Sequence, residues 1–207
     1  MPRLILRGEI MRESTYEFMK KSVASEMTAL EDLYDNMDKT EFGKALDMLM
    51  KSGLTITTAC GSSGFAAKKF AHALCCIECP AKFVAPSEAV HGGMGALKEG
   101  NAIVIVSKGG RTDELLPIIN IAKSKKAVII AVTQKIESTL AKSADVILKL
   151  PDVAESDRYG VMSTTSFAAT MAYFNALMVG IMEEKDYKLE EFALIHPGGG
   201  VGKDITK

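Results

Sequence analysis

Three segments of the chain combine glycine with side-chain hydroxyls: Cys60-Gly61-Ser62-Ser63-Gly64, Ser107-Lys108-Gly109-Gly110-Arg111-Thr112 and Ser163-Thr164-Thr165-Ser166. Glycine lets backbone approach a ligand closely, and a helix N-terminus offers unpaired N–H groups to an anion. Serine and threonine add short hydrogen-bonding arms, and Lys108 and Arg111 add two cations. Taken alone, each segment reads as an ordinary helix cap. Three together suit a small polyhydroxylated anion such as a sugar phosphate. The phosphate takes helix N-termini, and the sugar hydroxyls take many small polar partners. A dinucleotide site is the rival. Residues 59–64 are one residue away from GxGxxG, and Glu88 lies far enough on to hold a ribose. That reading leaves the other two segments unexplained. No GxxxxGK[ST] is present, so a Walker loop is excluded.

Proton transfer needs groups that titrate near neutrality. The chain has three histidines. His72 falls inside a helical pattern and reads as structural. His91 and His196 sit among glycines, in Ala89-Val90-His91-Gly92-Gly93 and Ile195-His196-Pro197-Gly198-Gly199. There, packing does not account for an imidazole, and its ordinary pKa suits proton relay. Glu155 lies just before the third hydroxyl segment. A carboxylate at that place is a candidate base for an aldose–ketose isomerisation. Asp152 and Asp157 compete with it, and spacing does not choose among the three.

These groups need a scaffold. From Leu54 onward, short β-branched runs (54–58, 82–85, 103–106, 127–132, 146–150) alternate with helical patterns at 65–76, 88–97, 114–123 and 136–143. Runs such as IVIV and AVIIAV are apolar throughout, as strands covered on both faces are. The alternation predicts an α/β fold with a parallel sheet of about five strands. In such a sheet ligands sit beyond the carboxyl ends of the strands, where the hydroxyl segments fall. A long helix is predicted from Thr164 to about Glu184, followed by an irregular glycine-rich tail.

Residues 1–52 read as a helical extension before a domain over 53–207. Beyond an opening apolar stretch they form an amphipathic helical hairpin, with Met19, Val23, Met27, Leu30, Leu33 and Met37 at helical spacing. Asp38 or Thr40 caps the second helix, and Gly53 ends it. The Met-rich stripe is expected to pack on its own domain or to serve as an oligomer surface.

The 207 residues carry 25 Lys+Arg against 26 Asp+Glu, a formal net charge of -1. A broad nucleic-acid footprint would need a basic excess. No apolar run is expected to span a membrane, and the charge-interrupted start does not read as a signal peptide. A cytoplasmic location is expected. Of the four cysteines, Cys75, Cys76 and Cys79 crowd one segment with Cys60 apart, unlike a disulfide framework. Cys76-Ile77-Glu78-Cys79 formally reads CxxC but lacks a second ligand pair, so reduced thiols near a helix end are expected and no metal.

Taken together, the first loop, Ser87-Glu88-Ala89-Val90-His91-Gly92, the second loop with Asp113-Glu114, Ser163-Thr164-Thr165 and Glu191-Phe192-Ala193-Leu194-Ile195-His196-Pro197-Gly198-Gly199 resemble the sugar isomerase (SIS) domain, and most of all its arabinose 5-phosphate isomerase branch. The likeness covers nearly the whole chain, with the His-Pro-Gly-Gly ending as its most specific mark. Members of that branch often carry a C-terminal CBS pair, and this chain is expected to be the isomerase module alone. The resemblance implies a three-layer, flavodoxin-like sheet of five strands. It implies a homodimer or homotetramer with sites at subunit interfaces. It also implies interconversion of aldose and ketose phosphates through an enediol, with no redox cofactor. By position, His196 is then the ring-opening or relay histidine, reaching into a neighbouring subunit's site. His91 is a second site histidine and Glu155 the base. Ser62, Ser63, Ser107 and Thr112 hold phosphate, with Gly61, Lys108, Gly109, Gly110, Arg111, Ser163 and Thr164 lining the site. Two departures stand out. Ser62 replaces the branch's first-loop lysine, and Arg111 replaces its second-loop glutamate. The cation that meets the substrate is therefore expected to move to the second loop, at Lys108 or Arg111.

Overall fold

The apolar strand runs need cover on both faces, and they have it. In the computed structural model, which describes residues 11–198, five parallel strands form one sheet: β1 (Thr55–Thr58), β2 (Ala81–Phe83), β3 (Ala102–Val106), β4 (Val128–Thr133) and β5 (Val146–Lys149). Their order is β2-β1-β3-β4-β5. Val104 pairs with Ile130 and Val106 with Val132, and Ala131 pairs with Ile147. Alternate residues face opposite layers. Val104, Val106, Ile130 and Val132 share one cluster with Phe42, Phe70 and Phe174. Ile103, Ile105 and Ile129 join the other, with Ile118 and Leu140.

The helices are α1 (Glu13–Asp35), α2 (Lys39–Lys51), α3 (Gly61–Cys75), α4 (Pro86–Ala89), α5 (Leu116–Ser124), α6 (Thr139–Ser143), α7 (Thr165–Glu184) and α8 (Leu189–Ile195). The three-layer α/β architecture expected from the sequence is present. The first cluster ties α2, α3 and α7 to one face, with the Phe70 and Phe174 rings stacked at 4.1 Å. The second ties α4, α5 and α6 to the other. Asp38 caps α2, its Oδ1 accepting from the Thr40 and Glu41 N–H at 2.8 and 3.1 Å.

Several expectations change. The helix predicted over 88–97 is two short pieces, α4 and a 3-10 turn at Gly93–Ala96, because Gly92 between them adopts φ +103. α3 begins four residues early, so Ser62 and Ser63 lie in its first turn. Part of the tail is regular, since α8 occupies Leu189–Ile195. The opening apolar stretch lies outside the described residues, as does the tail beyond Gly198. α7 is long and apolar enough to cross a membrane by length and composition, contrary to expectation. Its apolarity has a different use here: it lies against α1, α2 and α3 in the core of one layer.

Apart from Leu33, the stripe on α1 does not pack inward. Only Ala29 and Leu33 are buried, while Met19, Val23 and Met27 are 54%, 59% and 57% exposed. α1 meets the domain along α7, and the rest of its apolar face looks outward.

Candidate functional site

Parallel strands bring the loops after β1, β3 and β5 to one edge, with β1 and β3 adjacent. The order reverses between these two strands, which leaves a crevice at their carboxyl ends.

At the loop after β1, Gly61 opens α3 with φ +55, and Cys60 supplies no side-chain cap. The exposed Gly61 lines a cleft of about 370 Å³ with Cys60, Phe65, Lys68, Ser87 and Glu114. Lys68 is a cation that sequence reasoning missed. It lies in α3 beyond the loop, with its ammonium 5.0 Å from the centre of the Phe83 ring.

The loop after β3 is internally tied. The Ser107 and Thr112 hydroxyls lie 2.9 Å apart, and the Gly110 N–H donates to Ser107 Oγ at 3.1 Å. Gly110 has φ +64, and a Cβ there would fall 2.0 Å from Ser138 Oγ. The loop's two cations diverge. Exposed Arg111 lines a separate cleft of about 460 Å³ with Gly109, Lys135, Glu137 and Ser138. Lys108 turns the other way, its Nζ 2.6 Å from Glu155 Oε1.

Glu155 is 8% exposed and sits over the start of α7. The Thr164 side chain does not cap that helix; the carboxylate takes over the role. Oε2 accepts from the Thr164 N–H (3.0 Å), the Thr164 hydroxyl (3.2 Å) and the Ser166 N–H (3.1 Å). Oε1 accepts from Lys108 and from the Ser166 hydroxyl. Burial pushes the carboxyl pKa up, but the donors from Lys108, Ser166 and Thr164 outweigh it and bring it to about 2. Ser163 is half-buried beside them, 3.5 Å from the Ser166 hydroxyl. Asp152 pairs with Lys135 at 3.1 Å. Asp157 accepts the N–H groups of Tyr159, Val161 and Met162.

The Glu155 loop has a support that sequence reasoning overlooked. Buried Gln134 donates to the carbonyls of Pro151 (2.6 Å) and Val153 (3.3 Å). A long polar side chain two residues beyond the apolar run 127–132 was the available signal.

The two candidate histidines lie at different edges of the sheet. His91 is exposed in the turn after α4, its N–H donating to the Glu88 carbonyl. His196 follows α8, its ring stacked on Phe192 at 3.7 Å with Nδ1 3.0 Å from the Phe192 carbonyl. It lines a groove with His72, Cys75, Cys76, Cys79 and Pro80, at the C-terminal end of α3 and the start of β2. That is the amino edge of the sheet, opposite Glu155. Within one chain, then, Ser107, Lys108, Thr112, Glu155, Ser163 and Thr164 come together at the carboxyl edge and His196 does not join them. Burial pushes the Cys76 and Cys79 thiols up. Among the described residues, no group of three or more His, Cys, Asp or Glu side chains is placed to hold a metal ion.

The SIS domain matches residues 48–180 of this chain. Arabinose 5-phosphate isomerase KpsF of Escherichia coli is 31% identical over 188 residues, which are 90% of this chain and 58% of that protein. Arabinose 5-phosphate isomerase KdsD of Yersinia pestis is 32% identical over 175 residues, 84% of this chain and 52% of that protein. The chain thus spans little more than half the length of these curated relatives. Among solved structures, a candidate sugar-phosphate isomerase from Listeria monocytogenes superposes with a TM-score of 0.87 at 34% identity, covering 92% of this chain and 100% of that one. A protein of E. coli CFT073 in complex with arabinose 5-phosphate superposes at 0.83 with 26% identity, covering 91% and 100%. Vibrio vulnificus NanR complexed with ManNAc-6P shares the fold alone, at 0.76 and 16% identity over 89% of this chain and 72% of that one.

Proposed function

The chain belongs to the SIS domain family, and from that premise we propose that it is a cytoplasmic phosphosugar aldose–ketose isomerase. The lead pair is arabinose 5-phosphate and ribulose 5-phosphate, and no redox cofactor takes part. The observation that carries this reading is the buried carboxylate of Glu155 at the carboxyl edge, bracketed by Lys108 and the hydroxyl-rich start of α7.

In this reading the phosphate is held by the first turn of α3 (Gly61, Ser62, Ser63) and by the loop after β3 (Ser107, Lys108, Gly110 and Thr112), while Gly109 and Arg111, expected from the sequence to join them, face the separate cleft. Ser163 and Thr164 meet sugar hydroxyls. Glu155 removes the proton from C2 of the open-chain aldose; the C2–H electrons form the C1=C2 double bond of the enediol, and the carbonyl π electrons move to O1, which takes up a proton. The same proton returns to C1 as the hydroxyl proton at O2 leaves, giving the ketose. Histidine opens the ring. The His196 of a second copy would fill that role, since its own chain holds it at the other sheet edge. His91 is the second histidine of the site. A homodimer or homotetramer built through the exposed face of α1 would supply the second copy.

Two observations favour a second reading, a sensor that binds phosphosugar without turning it over. Every oxygen of Glu155 is already engaged by donors. Ser62 and Arg111 also stand where the isomerase branch carries a lysine and a glutamate.

An exchange assay in heavy water, on a panel of pentose and hexose phosphates, separates the two. Deuterium appearing beside the carbonyl, together with ketose formation, establishes the isomerase. A thermal shift with the same compounds and no exchange establishes the sensor.

A further inference from the structure

We infer that Lys108 is a latch on Glu155, released when the phosphate of a phosphosugar draws its ammonium away. The inference deepens the reading above and rests on it.

Each carboxylate oxygen offers about two lone-pair sites. Both on Oε1 are taken, by Lys108 and the Ser166 hydroxyl, and Oε2 carries the three remaining donors. With Lys108 in place neither oxygen is left to take a proton from carbon. Four of the donors belong to Thr164 and Ser166, held by the first turn of α7. Lys108 differs from them. Its side chain is 37% exposed against 4% for that of Glu155, and it is long and flexible. Its backbone is fixed, because its carbonyl accepts from the Thr133 hydroxyl at 3.1 Å and the Gln134 N–H at 3.0 Å. The ammonium can therefore swing while the loop stays in place.

That same loop carries Ser107, Gly110 and Thr112. A phosphate monoester bound there is close to a dianion and competes for the ammonium against a single carboxylate charge. When Lys108 leaves, Oε1 loses its charged donor, a lone pair opens, and the carboxyl's proton affinity rises. The base is off in the empty protein and on in the complex. The neighbouring carboxylates are otherwise engaged, Asp152 with Lys135 and Asp157 with backbone N–H groups.

The test uses a pentitol 5-phosphate, which has the phosphate and hydroxyls but no carbonyl. Its affinity is measured calorimetrically for the wild type, Lys108→Met, Glu155→Gln and the double variant. Lys108→Met is expected to weaken binding about tenfold, and Glu155→Gln to tighten it by about tenfold, because the ammonium no longer has to leave a carboxylate. In the Lys108→Met background, Glu155→Gln should change affinity by less than about twofold. Equal tightening in both backgrounds would reflect bulk charge and overturn the latch, as would no tightening or no binding. Should the Gln variant misfold, a crystal structure of the wild type with the pentitol phosphate decides. An intact Lys108–Glu155 pair beside bound phosphate overturns the latch. An ammonium moved onto the phosphate supports it. Turnover of arabinose 5-phosphate by the same wild-type preparation is read separately. Coupling without turnover keeps the latch and removes the isomerase, and turnover without coupling does the reverse.

Discussion

The Lys108 ammonium lies 2.6 Å from the Glu155 carboxylate and joins two loops 47 residues apart in sequence. This ion pair connects the end of β3 to the start of α7 at the edge where the sheet presents its carboxyl ends. Glu155 therefore stabilises α7 as well as serving as the proposed base, and mutations there will report on both roles.

The first prediction concerns pH. The folded carboxyl sits at about 2 against an ordinary 4.5. A depressed folded pKa stabilises the protein above the unfolded value, and that stability is lost as pH falls from about 4.5 toward 2. The contribution near neutrality is on the order of 3 kcal/mol. Melting curves from pH 7 to pH 2 should show this loss in the wild type. Glu155→Gln should be less stable at pH 7 and flatter across the acid range. Equal acid sensitivity of both proteins would contradict the assignment.

Gly110 carries the second. Its φ of +64 and the 2.0 Å approach of Ser138 Oγ leave no room for a Cβ. Gly110→Ala should cost roughly 2–4 kcal/mol, from backbone strain and a steric clash. Urea unfolding measures it. Adding Ser138→Ala should recover only part of the loss, because the contact would then be with Ser138 Cβ at 2.5 Å.

The opposite placement of His196 and Glu155 yields the third. His196→Ala should lower kcat by about 10²–10⁴, as loss of a general acid–base group does, while pentitol phosphate still binds. Mixing and re-annealing His196→Ala with Glu155→Gln should restore a fraction of turnover, since one interface then carries both intact groups. No recovery in demonstrably mixed oligomers would place the relay histidine elsewhere.

The exposed face of α1 gives the fourth. Met19, Val23 and Met27 contribute little to their own chain's core. Met19→Lys with Met27→Lys should leave helicity and the unfolding midpoint nearly unchanged and weaken self-association by about tenfold or more. Analytical ultracentrifugation across a concentration series reads this directly. An unaltered mass distribution would remove α1 from the interface.

Periodicity alone determined the sheet. Uninterrupted runs such as Ile103–Val106 and Val128–Val132 can be buried only between two helical layers, and the turn residues between them set the order of elements. The hydroxyl-rich loops were legible for the same reason, since in a parallel sheet they must fall at the carboxyl edge. Three matters were beyond a linear reading. The hairpin stripe was legible as apolar, but whether it faced its own core depended on how narrow an edge of α1 meets α7. Lys108 and Arg111 are equal in sequence, and the φ of Gly110 and its packing on Ser138 belong to a loop that sends one cation to Glu155 and the other into a different cleft. Glu155 was legible as a carboxylate beside a helix start. That Lys108, Thr164 and Ser166 would converge on it was not, because such convergence arises from contacts between elements far apart in the chain. Hydrophobic periodicity repeats along the sequence and survives without neighbours, whereas the proton affinity of a buried acid depends wholly on the neighbours that folding brings.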